Sequence, residues 1–349
     1  MTRPVGYYVH HQGAGHWQRA VALARALGAL GRPCTLIGTF AGLDTAEAPG
    51  PVLDLPDDRL DRDFDGRDGA TDRPECFHYV PLNHPGIRRR MGRIAAWAAA
   101  DDPALMIVDV SAEVALFARL LSVPSLVVRL SGTRTDRPHL DAFRAASRLL
   151  APFPEALDGG EVPDWVRAKT LYGGFLGAAP SVAAPDEDGR IVVVFGRGGE
   201  GGDGRALARA AEAVPERDWH VLGPVTNIGT GPKNLHLHGW VADVHPHLAP
   251  ASLVIGGAGD GLVTAVASLG KRFLCLPEPR AYDEQEAKAA ALKRLGAAIV
   301  HRGWPDAPAW PDLVAEGLAL DPGIVRALAD STALARTADA IEALCRQAG

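Results

Sequence analysis

A chain of 349 residues, 47% hydrophobic and 22% charged, is long enough for two folded domains and is not composed like a disordered protein. Its formal charge of −6 argues against nucleic acid as a partner, because binding phosphates requires a basic face. No apolar run approaches the roughly 18–20 residues of a membrane-spanning helix, and the first residues lack a signal-peptide core. With four scattered cysteines, these features predict a cytoplasmic protein that has no spanning segment.

The first forty residues predict a strand, a helix and a second strand. Val5–His10 and Cys34–Phe40 are short and apolar, and His16–Leu30 carries apolar residues at helical spacing. A glycine-rich turn that contains Gly13 and Gly15 joins the first strand to the helix. Because a strand–helix–strand unit normally pairs its strands in parallel, the chain is expected to begin with an α/β domain.

The rest of the chain continues the alternation of strands and helices. Residues 41–84 form a long Asp-rich segment without periodicity, which is typical of a functional or mobile loop. Strands at Ala104–Val110 and Ser125–Leu130 complete a first domain of residues 1–155, and a linker at Ala178–Gly189 lies near the start of a second. The second half has predicted strands at Ile191–Phe195, Trp219–Leu222, Leu253–Ile255 and Phe273–Leu276, and predicted helices near Arg205–Ala213, Leu262–Leu269 and Gln285–Leu295.

The glycine turn before the first helix does not indicate a redox nucleotide. Bare glycines there let a phosphate or a sugar approach the helix N-terminus. A dinucleotide reductase would carry a third glycine where this chain has Gln18, and an acidic residue at the end of the second strand, where Leu36–Phe40 has none.

Two titratable side chains follow predicted strands at the crevice between the halves. His16 opens the first helix, where an imidazole could take a proton from a hydroxyl; a capping or packing histidine is the alternative. Asp109 lies at the end of the apolar strand Ala104–Val110, and a carboxylate behind a histidine orients the ring. An isolated aspartate at such a place is more often a turn or cap residue.

Two glycine-rich loops and an acid–amide pair follow strands in the second half. Gly198 and Gly199 lie in the first loop, and Gly256–Gly261 forms the second and opens a helix. Bare amides at a helix N-terminus can bind a diphosphate, although two flexible turns are the alternative. Glu284 and Gln285 can bind neighbouring sugar hydroxyls, or they can be ordinary residues of a first helical turn.

These motifs resemble those of the GT-B glycosyltransferases, most closely the family of the peptidoglycan-precursor N-acetylglucosaminyltransferase, with features of natural-product and plant glycosyltransferases. The resemblance is strongest over Leu237–Val300 and next strongest at Gly13–Arg19. It implies two Rossmann-like, doubly wound parallel-sheet domains that face each other across a cleft. Residues 1–155 would bind the acceptor, residues 156–322 the nucleotide-sugar, and a helix in residues 323–349 would cross back to the N-terminal domain.

The resemblance also implies roles for individual residues. His16 would be the catalytic base and Asp109 its orienting partner, while Gly13 and Gly15 would belong to the acceptor and phosphate loop. Trp240 would stack on the base of the donor, with a core aromatic as the alternative. The other residues implied to bind the donor are Gly198, Gly199, Gly257, Ala258, Gly259, Asp260, Gly261, Glu284 and Gln285.

The implied function is an inverting transfer of a sugar from a nucleoside-diphosphate-sugar to an unidentified acceptor, such as the hydroxyl of a small molecule or natural product. No metal or cofactor is expected, because loop amides and a helix dipole can neutralise the leaving diphosphate. The alternatives are a nucleotide-sugar 2-epimerase of the same fold and a non-catalytic sugar-nucleotide-binding protein. The family's ribose-binding glutamate is Ala265 here and a phosphate-contacting histidine is Gly257, so uridine and thymidine diphosphate both remain candidates.

Three other features have simpler explanations than a site. A histidine cluster lies in a predicted strand, loop and helix start, and an Asp-rich run resembles a calcium loop, but its twelfth position is Asp72 and no helix precedes it. An Arg-rich helix at Pro85–Ala100 would permit peripheral membrane contact, although a solvated surface helix is favoured. The residues concerned are His236, His238, His245 and His247 in the cluster, Asp61, Asp63, Asp65 and Gly66 in the run, and Arg88, Arg89, Arg90 and Arg93 in the helix.

Overall fold

The computed structural model describes residues 2–10, 14–42, 44–46, 48–60, 64–159, 161–177, 187, 189–196, 198–199, 201–227, 229 and 231–347. Within these ranges the chain forms two large parallel sheets, each covered on both faces by helices, and a separate pair of short parallel strands. This arrangement confirms the predicted α/β class with two Rossmann-like halves.

The first sheet occupies the N-terminal half. Its strands are β1 (Val5–Tyr8), β2 (Cys34–Gly38), β3 (Val52–Asp54), β4 (Leu105–Asp109), β5 (Ser125–Val128), β6 (Arg148–Ala151) and β7 (Thr170–Tyr172). The helices of this half are α1 (Ala14–Ala29), α2 (Pro85–Asp101), α3 (Ala112–Leu120), α4 (Arg137–Ala145) and α5 (Asp164–Lys169). The described strands lie in the order β3-β2-β1-β4-β5-β6-β7 and all pair in parallel. Strand order reverses between β1 and β4, so the loops after these two strands border a crevice.

Both faces of the first sheet are apolar because both are covered. On one face, Tyr7 and Ile107 pack with Leu23 of α1. On the other, Val108 packs with Ile94 of α2. Burial on both faces explains why these strands are continuous apolar runs in the sequence.

The second sheet is built in the same way. Its strands are β8 (Arg190–Val194), β10 (Asp218–Leu222), β12 (Leu235–Gly239), β13 (Leu253–Gly256), β14 (Phe273–Cys275) and β15 (Ile299–Val300), and β9 (Gly202–Asp203) pairs separately with β11 (Val225–Thr226). The helices of this half are α6 (Gly204–Ala213), α7 (His245–Leu248), α8 (Asp260–Leu269), α9 (Glu284–Arg294) and α10 (Trp310–Leu318). Within the described residues the strand order is β12-β10-β8-β13-β14-β15, and it reverses between β8 and β13. The loops after β8 and β13 therefore border the crevice of this half.

The first sheet extends beyond the predicted domain boundary at residue 155. β7 pairs with β6, so residues up to Tyr172 belong to the N-terminal sheet. Between and after these strands, Phe153, Leu157 and Phe175 pack into the core of the second half. The predicted division therefore cuts through the first sheet, and the pairing places the boundary after Tyr172. Residues 178–186 of the predicted linker lie outside the described residues.

The C-terminal segment forms two helices, α11 (Pro322–Arg326) and α12 (Ala333–Gln347), where a single one was predicted. α12 packs against α1, and its residues Ala338 and Ile341 belong to the apolar core of the N-terminal half. Glu342 of α12 also forms an ion pair with Arg32, with 2.7 Å between Oε2 and Nε. The end of the chain is thus attached to the first half.

The Arg-rich helix α2 is less basic on its surface than its sequence indicates. Arg90 is only 1% exposed, because it pairs with Asp58 and donates a hydrogen bond to the hydroxyl of Tyr8. The expectation that Arg90 lies with the surface arginines is therefore wrong. Among the described helices, none combines the length and apolar composition of a membrane span.

Candidate active site

His16 and Asp109 meet at the crevice of the first sheet. Nδ1 of His16 lies 3.0 Å from Oδ1 of Asp109. His16 is in the first turn of α1, after β1, and Asp109 is the last residue of β4, the neighbour of β1. The carboxylate is completely buried, whereas the imidazole side chain is 15% exposed. The structure therefore brings the two predicted residues together, with only the histidine able to reach a substrate.

Arg19 is a third member of this group, which the sequence analysis missed. Its Nη2 donates hydrogen bonds to Oδ2 and Oδ1 of Asp109 over 2.8 and 2.9 Å, and lies 3.0 Å from Nδ1 of His16. The hydroxyl of Tyr7 donates a further hydrogen bond to Oδ2. Arg19 follows His16 by three residues, a spacing that places both on one face of a helix. That spacing is the signal that could have identified it.

The charges in this group determine the tautomer of the histidine. Burial favours a neutral Asp109, but the guanidinium of Arg19 and the hydrogen bond from His16 outweigh it and lower the pKa of the carboxyl. Asp109 is therefore ionised at neutral pH and accepts hydrogen bonds only. Nδ1 of His16 lies 3.0 Å from both Oδ1 of Asp109 and Nη2 of Arg19, but Nη2 already donates to the two carboxylate oxygens. A proton on Nδ1 is then donated to the carboxylate, and this tautomer leaves Nε2 as the ring's acceptor.

The glycine loop between β13 and α8 exposes the amide end of that helix. A Cβ at Gly257 would lie 2.8 Å from Oε1 of Gln285, so this glycine is required by packing. Gly259 and Gly261 face open space, where a ligand can approach the first turn of α8. Gly15 also faces open space, whereas Gly13 lies outside the described residues.

Gln285 holds two loops together. It is 6% exposed, and its Oε1 accepts hydrogen bonds from the amides of Ala258 and Glu278 over 2.9 and 3.0 Å. The expectation that Ala258 offers its amide to the donor is therefore corrected, because that N–H is already bonded. The carbonyl of Gln285 is likewise occupied by the loops and is not directed at a sugar.

This role changes the expected effect of replacing Gln285. We expect Gln285→Ala to weaken the binding of free nucleoside diphosphate as well as intact nucleotide-sugar, because two buried amides lose their acceptor and the glycine loop shifts. The free energy of unfolding should fall by about 1–3 kcal/mol. Calorimetry with both ligands and denaturant titration measure these effects, with Gln347→Ala at the end of α12 as the control. Loss of affinity for the nucleotide-sugar alone would contradict this account.

Asp260 of the second half interacts electrostatically with Arg19 and His16 of the first, and Glu284 interacts with His16. Asp260 is ion-paired with Lys288, which is 1% exposed. Burial acts to raise the pKa of Asp260, but Lys288 outweighs it and lowers that pKa, with smaller contributions from Arg19 and His16. The pKa of Glu284 is raised by burial and by the charge of Asp260. The two halves thus interact electrostatically at this cleft.

The remaining residues predicted to bind the donor follow strands of the second sheet, at the carboxyl ends of those strands. Gly198 and Gly199 follow β8 and pack against the ends of the side chains of Arg280 and Glu278. Trp240 follows β12 and is 52% exposed, which excludes the alternative of a core aromatic.

Three further expectations concern Ala265, the calcium-like run and the histidine cluster. Ala265 is 2% exposed within the apolar core of the second half, and its methyl group offers no hydrogen bond to a ribose. Asp61 and Asp63 of the calcium-like run lie outside the described residues. Within the described ranges, side chains with metal-ligand spacing occur at His78, Asp136 and His139, and not in the predicted histidine cluster.

Curated relatives match parts of the chain. One relative is the UDP-N-acetylglucosamine--N-acetylmuramyl-(pentapeptide) pyrophosphoryl-undecaprenol N-acetylglucosamine transferase of Rhodopseudomonas palustris. The two sequences are 26% identical over 249 residues, which cover 65% of this chain and 66% of the relative. The chain is 32% identical over 125 residues, 33% of this chain and 35% of the relative, to the transferase of the same name of Exiguobacterium sp.. The chain thus spans about one third to two thirds of these relatives. No protein-family model matches it.

Solved structures match nearly the whole chain. The kitacinnamycin glycotransferase aligns with a TM-score of 0.69 and 15% identity over 99% of this chain and 100% of that one. VinC in complex with DTDP aligns with a TM-score of 0.67 and 16% identity, again over 99% and 100%. MurG of Acinetobacter baumannii aligns with a TM-score of 0.65 and 18% identity, over 98% and 100%. The resemblance predicted from the motifs is therefore confirmed: the chain has the GT-B fold and is similar in sequence to the family of the peptidoglycan-precursor N-acetylglucosaminyltransferase.

Proposed function

We propose that the chain is an inverting glycosyltransferase that moves a sugar from a nucleoside-diphosphate-sugar to a hydroxyl of an acceptor. One observation carries this proposal. The His16–Asp109 pair of the first half lies across the cleft from the second half, where α8 begins with two glycines that face open space. A base and an anion site on opposite sides of one cleft suit an acceptor and a diphosphate leaving group.

His16 acts as the base in this proposal. Its Nε2 removes the proton from the acceptor hydroxyl while the hydroxyl oxygen attacks the anomeric carbon of the sugar. The bond between that carbon and the diphosphate oxygen breaks on the opposite face, so the configuration inverts and the nucleoside diphosphate leaves with the bonding electrons. Asp109 holds the ring in the required tautomer and stabilises the imidazolium that forms.

The leaving diphosphate is stabilised by the N-terminal end of α8. The free amides of its first turn and the helix dipole favour negative charge at this place. Asp260 in the same turn would oppose a diphosphate, but its ion pair with Lys288 offsets that charge. The proposal therefore includes no metal and no cofactor, and the nucleotide-sugar is a substrate.

The relatives support transfer rather than epimerisation, since those compared above are named transferases. One is named for UDP-N-acetylglucosamine and another was solved with DTDP. Uridine and thymidine nucleotides are both proposed as donors to be tested, and a non-catalytic binding protein remains the outcome to be excluded.

We expect Trp240 to stack on the base of the donor, because it is exposed at the cleft edge of the second sheet. Trp240→Ala should weaken uridine or thymidine diphosphate, whichever binds better, by about tenfold, since stacking on an aromatic ring contributes about 1–3 kcal/mol per base. Calorimetric titration measures this change. Trp165→Ala is the matched control, because Trp165 is 37% exposed on α5 of the other half. An affinity unchanged in Trp240→Ala would place the base elsewhere.

A screen of nucleotide-sugars against hydroxyl-bearing acceptors, read by mass spectrometry, tests the proposal. The expected product is a new glycoside together with free nucleoside diphosphate. An epimer of the donor sugar, or donor binding without turnover of any pair, would reject glycosyl transfer. His16→Ala should lower the product signal by about a hundredfold or more while donor binding remains.

A further inference from the structure

A second histidine–aspartate group lies at the seam between the halves, apart from His16 and Asp109. Nε2 of His78 lies 2.8 Å from Oδ1 of Asp136, and Nδ1 of His139 lies 2.6 Å from Oδ2 of the same carboxylate. Nη1 of Arg134 lies 3.2 Å from Nε2 of His139, and Nη2 of Arg134 donates to Oε2 of Glu284 over 3.1 Å. These contacts form one network that extends from the long loop of the first half to α9 of the second.

The hydrogen-bond donors and acceptors in this network determine which nitrogen of each imidazole ring carries a proton. Arg134 can only donate, so Nε2 of His139 must accept and Nδ1 must carry the proton that Asp136 receives. Burial lowers the pKa of His139 to about 4, so the ring is neutral at neutral pH and has this single tautomer. The pKa of Asp136 is lowered by its two histidines against the effect of burial, so it accepts only. Nε2 of His78 must therefore be protonated, and in the neutral ring its Nδ1 keeps a lone pair.

These protonation states also exclude a metal ion, although His78, Asp136 and His139 have metal-ligand spacing. A histidine that binds a metal through Nδ1 carries its proton on Nε2 and donates it to an acceptor. Nε2 of His139 instead faces the guanidinium of Arg134, which cannot accept a proton and adds a positive charge. The group therefore forms a complete hydrogen-bonded network without an ion. We call this network of His78, Asp136, His139 and Arg134 the relay.

Its position places His78 beside the proposed reaction. The amide of His78 donates to Oε1 of Glu113, which lies in the first turn of α3, four residues after Asp109. The side chain of His78 is 29% exposed, and its ring centroid lies 6.0 Å from that of Tyr282, in the loop before α9. Nδ1 of His78 makes no hydrogen bond within the described part of the chain. The ring thus offers an acceptor atom at the edge of the cleft.

We propose that His78 is a hydroxyl-binding residue of the acceptor site, whose Nδ1 accepts a hydrogen bond from a hydroxyl of the acceptor molecule. Asp136, His139 and Arg134 are positioning residues that fix its tautomer and connect it to Glu284 of the donor half. This inference rests on the proposed glycosyl transfer for its substrate. Its ligand class is a neutral hydroxyl compound, and its hydrogen bond orients the acceptor without taking its proton.

Nitrogen NMR of the full-length protein labelled with ¹⁵N-histidine tests the tautomers directly. At neutral pH we expect the proton of His78 on Nε2 and that of His139 on Nδ1, with the His78→Gln spectrum providing the assignment. In protein saturated with uridine diphosphate, added resorcinol, which has a second hydroxyl besides the one that reacts at His16, should shift the Nδ1 resonance of His78. A proton on Nδ1 of His78, or no shift at resorcinol concentrations that saturate turnover or reach its solubility, overturns the proposal. Stoichiometric zinc binding that His78→Gln abolishes would also overturn it, in favour of a metal site.

Kinetics separates this inference from the proposed function. With a donor that the wild type turns over, His78→Ala should lower the kcat/KM for transfer to resorcinol about tenfold or more through KM, because one hydroxyl of resorcinol loses its hydrogen-bond acceptor while the other still reacts at His16. His78→Gln, which keeps an acceptor atom, should recover part of the loss, and His236→Ala on the exposed face of β12 is the control. An unchanged KM overturns the role of His78. Absence of any donor turnover in the wild type would instead reject glycosyl transfer, and the NMR results would still decide the relay.

Discussion

Replacement of His16 by alanine is expected to lower kcat by about a hundredfold or more and to leave the affinity for nucleoside diphosphate nearly unchanged. The reason is the geometry of the pair: Nδ1 faces a buried carboxylate, so Nε2 is the atom that can take a proton from the acceptor. The loss should appear in kcat, because the proton moves only in the reaction step. His16 is partly exposed in the first turn of α1, so its removal should not unfold the protein.

Product formation at saturating donor and acceptor, with parallel calorimetry of the nucleotide, measures this effect. His236→Ala is the control for removing an imidazole, because His236 is exposed on β12. Full activity in His16→Ala would remove the pair from the mechanism. A loss of nucleotide affinity equal to the loss of activity would show that His16 binds the donor instead.

Asp109→Asn is expected to lower the free energy of unfolding by about 3–5 kcal/mol, in addition to lowering activity. Asp109 is completely buried and Arg19 is 9% exposed, and the two are joined over 2.8 Å. An asparagine cannot balance the guanidinium, so the charge of Arg19 remains buried without a partner. The variant would therefore be too unstable to report on catalysis alone.

A double-mutant cycle separates the two effects. Arg19→Met with Asp109→Asn removes both charges and should recover part of the stability lost in the single variant, because no uncompensated charge remains. Activity should stay low in the double variant, since His16 has lost the carboxylate that orients it. Denaturant titration gives the coupling energy between the two positions. Additive losses of stability would contradict the buried pair, and a fully active double variant would contradict the orienting role of Asp109.

The sequence predicted the residues of the first half of the candidate site and those of the second half with different success. His16 and Asp109 could be found because each follows an apolar strand, and the ends of neighbouring parallel strands meet at one edge. Arg19 was missed because an arginine in the first helix has no distinctive motif, and only the i, i+3 spacing from His16 marks it. The resemblance gave no information on the two loop amides that the side-chain oxygen of Gln285 binds, because these contacts depend on the folded loops.

The fold was predictable where apolar runs are long enough to be buried on both faces. β6 and β7 were missed because they contain four and three residues and lie at the edge of the first sheet. Because these two strands were not predicted, the predicted domain boundary at residue 155 falls within that sheet. The relay of His78, Asp136 and His139 was also beyond the sequence, because it joins a loop to a helix start 58 residues later and depends on tertiary contacts alone.

The central claim is inverting transfer from an activated sugar, and the anomeric configuration of the product tests it most directly. With a donor of α configuration and an acceptor found in the screen, proton NMR of the isolated product should show a β-glycoside formed in step with nucleoside diphosphate. His16→Ala should lower the yield of that glycoside without changing its configuration. An α-glycoside, or release of nucleoside diphosphate without any glycoside across the screen, would contradict the account.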